Sequence, residues 1–124
     1  MIVGVGLDLV EIQRVKRILD RQGEAFVDRI LSDEESRDRI PNHDGPAHLA
    51  GLFAAKEAVM KAMGTGMAGA SFREIRIRHQ DSGQPFVELL GATRKRAQSM
   101  GIGAWHLSIT HTRKTAAAVA IALP

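Results

Sequence analysis

At 124 residues the chain has the length of one ordinary domain and can bury a core, which excludes a second full domain and predicts a single unit over 1–124. Hydrophobic residues make up 44% and charged residues 25%, a balance that excludes a disordered chain, and no apolar run approaches the roughly 18 residues of a membrane span. The formal charge of +3 suits an acidic or phosphorylated partner without defining one, while the absence of cysteine excludes a disulfide framework and a thiolate zinc site. The opening MIVGVGLDLV lacks the basic segment of a signal peptide, so the expected location is the cytoplasm.

In chain order, the first element is a strand in which Val3, Val5, Leu7 and Leu9 alternate with Ile2, Gly4, Gly6 and Asp8. One face is bulky; the other is bare until Asp8. That carboxylate either caps the helix that begins near Glu11 or stands open to a ligand beside unobstructed glycine backbone. Residues 11–22 set Ile12, Val15, Ile18 and Leu19 on one helical face, with Arg14, Arg17 and Arg21 in a ridge offset from it. Phe26, Val27, Ile30 and Leu31 predict a second, short helix. Ser32 to Glu35 has the form of a capping box, and Pro41 to Pro46 is a loop.

A long helix opens at Pro46 and stops at Gly64. Leu49, Leu52, Phe53, Val59, Met60 and Met63 form its apolar stripe, and Lys56 falls in the middle of it. An ammonium there snorkels to water, pairs, or meets an anion. Glu57 and Lys61 stand at the i, i+4 spacing that supports an isolated helix. Gly64-Thr65-Gly66 ends the helix; glycine also lets backbone N–H groups turn toward an anion, although the dipole at a helix C-terminus has the wrong sign for phosphate.

Arg73 to His79 and Phe86 to Leu90 predict a hairpin across Asp81-Ser82-Gly83, followed by a basic helix from Ala92 to Met100. Two further strands run from Ala104 to Thr110 and from Thr115 to Leu123. The order β-α-α-α-β-β-α-β-β implies an α+β domain with a mainly antiparallel sheet packed against helices. In the first of the last two strands His106, Ser108 and Thr110 share a polar face, with His111 at the exit. His43, His48 and His79 show no metal-ligand spacing, and no Ser-His-acid set is legible.

Three segments, VGVGLDLVEIQR at 3–14, FAAKEAVMKAMGTG at 53–66 and HLSITHT at 106–112, resemble in order and separation the 4′-phosphopantetheinyl transferases, and within them the short bacterial members that act on acyl carrier protein. FVDRILSDEE at 26–35 and SGQPFVEL at 82–89 extend the likeness over nearly the whole chain. The resemblance implies transfer of 4′-phosphopantetheine from coenzyme A to a serine of apo acyl carrier protein, in support of fatty acid biosynthesis. Carried over by motif, Asp8 and Glu57 become ligands of Mg²⁺, and Asp8, Glu57 and Lys61 the catalytic set. Glu57 would deprotonate the serine, directly or through water, and Lys61 would stabilise the leaving bisphosphate.

The same likeness assigns Lys56, Gly64, Gly66, Ser108, Thr110 and His111 to coenzyme A, and Arg14, Arg17 and Arg21 to the acidic carrier. It further implies a homotrimer with active sites between subunits, while the low aromatic content and the lack of a long apolar run predict neither a nucleic-acid nor a membrane partner. One departure stands out: family members often carry arginine at the position of Leu52, for a coenzyme A phosphate, and Arg39, His43 or His48 are the nearby candidates to replace it. The rival reading is a small basic RNA- or DNA-binding domain built on Arg73, Arg76 and Arg78. Aromatic residues at 4% and no tyrosine leave it without the stacking groups such domains use. An inactive carrier-binding module is disfavoured by the presence of Asp8, Glu57 and Lys61 together.

Overall fold

Small residues set how the elements meet. The computed structural model describes residues 1–37 and 45–124. Its order is β1 (Gly4–Glu11), α1 (Ile12–Gln22), α2 (Glu24–Ile30), α3 (Asp33–Arg37) and α4 (Gly45–Met63), then two 3₁₀ turns at Gly66–Ala68 and Phe72–Glu74. There follow β2 (Ile75–His79), β3 (Pro85–Leu89), α5 (Gly91–Ser99), β4 (Ala104–His111) and β5 (Thr115–Leu123). The expected α+β class holds. The strands, however, form two antiparallel sheets, a three-stranded one ordered β1-β5-β4 and the separate hairpin β2-β3.

One more helix precedes the hairpin than the sequence pattern predicts. Glu35 Oε1 accepts from the Ser32 N–H at 2.9 Å and Ser32 Oγ from the Glu35 N–H at 3.3 Å, so the capping box starts a short helix of its own, α3. The predicted loop at 41–46 lies outside the described residues except for Gly45 and Pro46, which open α4.

Helix α4 is buried on nearly every side, and the stripe with Lys56 at its centre is only part of its contact surface. Ala54, Ala55, Ala58 and Ala62 are all buried on it, and Ala116, Ala118, Ala120 and Ala122 are buried along β5. Beside β5 in the same sheet, β1 turns its bare face toward α4: a Cβ at Gly4 would lie 2.0 Å from the Ala62 carbonyl oxygen, and one at Gly6 1.8 Å from that of Ala58. The glycines therefore admit helix backbone, where the sequence suggested space for a ligand. The bulky side is left outward, with Val5 58%, Leu7 65% and Leu9 71% exposed.

Glu74 fastens the start of α5. Its carboxylate accepts from Thr93 Oγ1 at 2.8 Å and from the N–H groups of Ala92 and Thr93 at 3.1 and 3.2 Å. The Thr93 hydroxyl above all holds the carboxyl below its ordinary value of 4.5; desolvation opposes it, and the Thr93 and Ala92 N–H groups add to the lowering. In acid the unfolded chain then binds the proton more readily than the folded one, so this contribution is complete above 4.5 and fades as pH falls through the lower folded value. Glu74→Gln is expected to lower the melting temperature near neutrality and to converge on the parent protein in acid, as thermal melts across pH would record.

Candidate active site

Asp8 is the next inward-facing residue of β1 after Gly4 and Gly6, so the close seat of those glycines on α4 brings its carboxylate to the side of that helix. Lys61 Nζ donates to Asp8 Oδ1 and to the Leu7 carbonyl oxygen, each at 3.0 Å. Glu57 stands one helical turn before Lys61. Burial first, then the charge of Asp8, pushes the Glu57 carboxyl above its ordinary range, and Lys61 opposes both. Asp8 does not cap α1; Glu11 occupies that position.

Two carboxylates that repel each other, from a strand and a helix far apart in sequence, form a site that a cation would relieve. Among the described residues no cluster of three or more histidine or carboxylate side chains forms a closed metal cage. Asp8 and Glu57 are the residues here that could hold a hard cation such as Mg²⁺, which takes one or two carboxylates and keeps water and substrate phosphate in its shell.

Glu57 also faces a cleft of about 560 Å³ lined by Ile18 of α1, Phe26 and Ile30 of α2, Phe53 of α4, and Phe72. Phe53 stacks on Phe72 with ring centroids 5.5 Å apart and meets Phe26 at 6.4 Å. At the rim the Arg29 guanidinium donates to the Gln22 side-chain oxygen. Arg14, Arg17 and Arg21 are all exposed on α1, the helix that supplies Ile18 and Gln22 to the cleft. A charged ridge thus borders an apolar recess that ends at a carboxylate pair.

Lys56 does not serve as a ligand-facing cation. Its side chain is 0% exposed, and its ammonium is held by Glu35 Oε1 at 2.7 Å, the Ile30 carbonyl at 2.7 Å and the Phe72 carbonyl at 3.0 Å. All three donor hydrogens are used, so none remains for a phosphate. Burial pulls the Lys56 pKa down, and the charge and hydrogen bond of Glu35 oppose that fall. The sequence offered pairing as one of three outcomes; Glu35, 21 positions away, is the partner it did not name.

Gly64 ends α4 with φ of 69°, and its N–H bonds the Lys61 carbonyl at 3.0 Å, so Gly64 offers a ligand its missing side chain and not its amide. Gly66 follows with φ of 54° and open space where a Cβ would stand. Ser108 and Thr110 lie on the outer face of the β1-β5-β4 sheet, paired across from Val119 and Ala117. His111 points to the other face and lines a separate cavity of about 100 Å³ with His48, Leu52 and His79. Within the chain Asp8, Glu57 and Lys61 come together, and Ser108, Thr110 and His111 stay apart from them. The meeting of His48, His79 and His111 beside Leu52 has no trace in local spacing. Arg39 and His43 lie outside the described residues.

The predicted basic strand begins at Ile75, which leaves Arg73 in the 3₁₀ turn before it, and all three arginines have their own counter-charges. Arg73 pairs with Asp33 at 2.8 Å, Arg76 with Glu34 at 2.8 Å and Glu88 at 2.9 Å, and Arg78 approaches both glutamates at 3.6 Å. Side chains so engaged form no free track for a nucleic-acid backbone. In the described residues no helix is long and apolar enough to cross a membrane.

Fold and site define an α+β protein whose paired carboxylates, lysine and adjoining apolar cleft suit metal-assisted chemistry on a phosphorylated ligand. Residues 4–121 match the family model of the 4′-phosphopantetheinyl transferase superfamily. Holo-[acyl-carrier-protein] synthase of Maridesulfovibrio salexigens is 47% identical over 98% of both chains. The crystal structure of holo-[acyl-carrier-protein] synthase from Neisseria meningitidis superposes with a TM-score of 0.92 at 40% identity, covering 100% of each chain. That of the Bacillus anthracis holo-(acyl-carrier-protein) synthase, in complex with CoA (3′,5′-ADP), gives 0.81 at 34%, over 98% of this chain and 96% of its own. The chain belongs to the 4′-phosphopantetheinyl transferase superfamily.

Proposed function

We propose that this chain transfers 4′-phosphopantetheine from coenzyme A to a serine hydroxyl of apo acyl carrier protein, releasing adenosine 3′,5′-bisphosphate. The observation that carries the reading is the convergence of Asp8, Glu57 and Lys61 beside a cleft bordered by arginines. The serine oxygen attacks the β-phosphorus, the pyrophosphate P–O bond breaks, and the serine proton passes to Glu57 directly or through water. In the site without a cation, burial and the Asp8 charge raise the Glu57 pKa, the direction that strengthens a carboxylate as a base, and a bound cation opposes that rise. Lys61 places its ammonium where charge grows on the departing bisphosphate. Asp8 and Glu57 would hold Mg²⁺, which when bound would supply charge neutralisation on the pyrophosphate.

The apolar cleft takes a hydrophobic side chain of the carrier, and Arg14, Arg17 and Arg21 attract its acidic surface. Such steering acts mainly on encounter and weakens with salt. Arg14→Glu is expected to raise KM for the carrier about tenfold while sparing KM for coenzyme A. Equal carrier kinetics in initial-rate measurements at low salt would remove the docking role.

The outer sheet face explains how so short a chain encloses a large substrate. Val5, Leu7 and Leu9 of β1 stand beside Ile121, Val119 and Ala117 of β5, an apolar surface of the kind that marks an interface. Ser108 and Thr110 border it on β4 and cannot serve the Asp8 site of their own subunit. A homotrimer formed through this face sets them, with Gly66 and the His111 region, against coenzyme A at a neighbour's site, where His48 and His79 supply the polarity missing at Leu52. Leu7→Glu is expected to give monomers by light scattering and to abolish transfer; an active monomer would exclude shared sites.

The reaction belongs to the cytoplasm, where coenzyme A and carrier are both available. It is tested by the intact mass of apo acyl carrier protein after incubation with this protein, coenzyme A and Mg²⁺, with EDTA as control. A metal-dependent gain of one phosphopantetheine is the expected result. No gain across a panel of carriers would overturn the reading.

A further inference from the structure

The Lys56 ammonium joins two walls of the cleft that neither the transfer chemistry nor the metal site uses. Ile30, at the end of α2, and Phe72, in the turn before β2, line the recess, and each gives its carbonyl oxygen to Lys56 Nζ. The third hydrogen goes to Glu35, whose Oε1 also accepts from the Ser32 N–H and whose Oε2 accepts from the Ile77 N–H at 3.0 Å. One buried ion pair thereby ties α2, α3 and β2 to α4 at the residue preceding Glu57.

Burial of such a pair is a poor device for stability alone, because apolar side chains of similar volume fill the same space without the desolvation cost. What it adds is direction: three hydrogen bonds fix where two backbone segments stand, and apolar packing does not. Lys56 lies three residues after Phe53 and one before Glu57, both of which line the recess, so its anchor point and the cleft floor are the same turn of helix.

We propose that Lys56 and Glu35 form a clasp that sets the spacing of the cleft walls, making Lys56 a positioning residue for the carrier side chain that enters beside Glu57. The inference rests on the transferase reading for the identity of that side chain. It does not rest on it for the clasp itself. Widening the recess weakens the fit of the carrier, while coenzyme A, bound elsewhere along the site, is spared.

Lys56→Met alone leaves a buried carboxylate without its counter-charge, so the informative protein is the double variant Glu35→Gln/Lys56→Met, which removes both charges and keeps one acceptor oxygen for the Ser32 and Ile77 N–H groups that the carboxylate served with two. In that variant, with a melting temperature near that of the parent, KM for apo carrier is expected to rise about tenfold or more, with KM for coenzyme A within about twofold. A purely structural role would lower the melting temperature and the active fraction without separating the two KM values. Unchanged carrier KM in the folded variant overturns the clasp.

A second readout does not depend on transfer. The chain has no cysteine, so Ile30→Cys introduces a single thiol at a buried wall position, 4% exposed in the parent. Its reaction with a thiol reagent is expected to be about tenfold faster when combined with the double variant, because the wall opens locally. An equal rate overturns the proposal, and this holds even if the parent protein modifies no carrier.

Discussion

Glu57→Gln is expected to lower kcat for phosphopantetheine transfer by roughly 10²–10⁴-fold with little change in melting temperature. The substitution keeps the volume of the side chain and removes the charge that, on the proposed mechanism, accepts the serine proton and offers an oxygen to a cation. Glu57 is partly buried and its pKa is raised, so the neutral amide is easier to bury than the carboxylate and the fold does not suffer. Asp8→Asn has a different signature. It leaves Glu57 as a base but removes the second carboxylate, so the activity it loses is partly recovered at high Mg²⁺, whereas that lost in Glu57→Gln is not. Rates measured across a Mg²⁺ titration separate the two roles, and near-parental turnover by Glu57→Gln would remove the base assignment.

How far the sequence leads depends on whether a feature is local. The strand from Ala104 onward follows directly from the alternation of Trp105, Leu107 and Ile109 with His106, Ser108 and Thr110, and the end of α4 at Gly64 from the need for a left-handed residue. Arg14, Arg17 and Arg21 form an exposed ridge because helical spacing alone puts them there. Lys56 marks the limit of such reasoning. Its place in an apolar stripe announced an unusual role, yet the partner that decides that role, Glu35, comes from a different helix, and only the tertiary fold brings them together. The three histidines around Leu52 are of the same kind, arriving from α4, β2 and β4 with no shared spacing.

The two faces of β1 were open to opposite readings. Alternation identifies a strand with one bulky and one bare side, and the usual rule buries the bulky one. Here α4 is so rich in alanine that it packs most closely against backbone, and the bare side goes inward. The apolar side then stays outward, with Val5, Leu7 and Leu9 exposed, the surface through which the proposed homotrimer would form.

Gly6→Ala tests that arrangement with a single methyl group. The backbone at Gly6 is not in the left-handed region, so alanine meets no conformational penalty there and the whole cost is contact. The new Cβ would stand 1.8 Å from the Ala58 carbonyl oxygen, 2.7 Å from the Ala62 nitrogen and 2.8 Å from the Ala58 carbonyl carbon, all main-chain atoms of a helix that cannot rotate out of the way. Relief requires β1 to withdraw from α4, which loosens the buried alanine layer and carries Asp8 away from Lys61 and Glu57. The expected loss is about 3 kcal/mol, a fall in melting temperature on the order of 10 °C, with weaker Mg²⁺ activation in the protein that still folds. Gly45→Ala is the matched control, since nothing lies within 4 Å of its Cβ position, and it should change stability by less than about 0.5 kcal/mol. If Gly6→Ala melts with the control, the close approach of β1 to α4 is not what holds the two carboxylates together, and the site must be positioned by the Lys61 contacts alone.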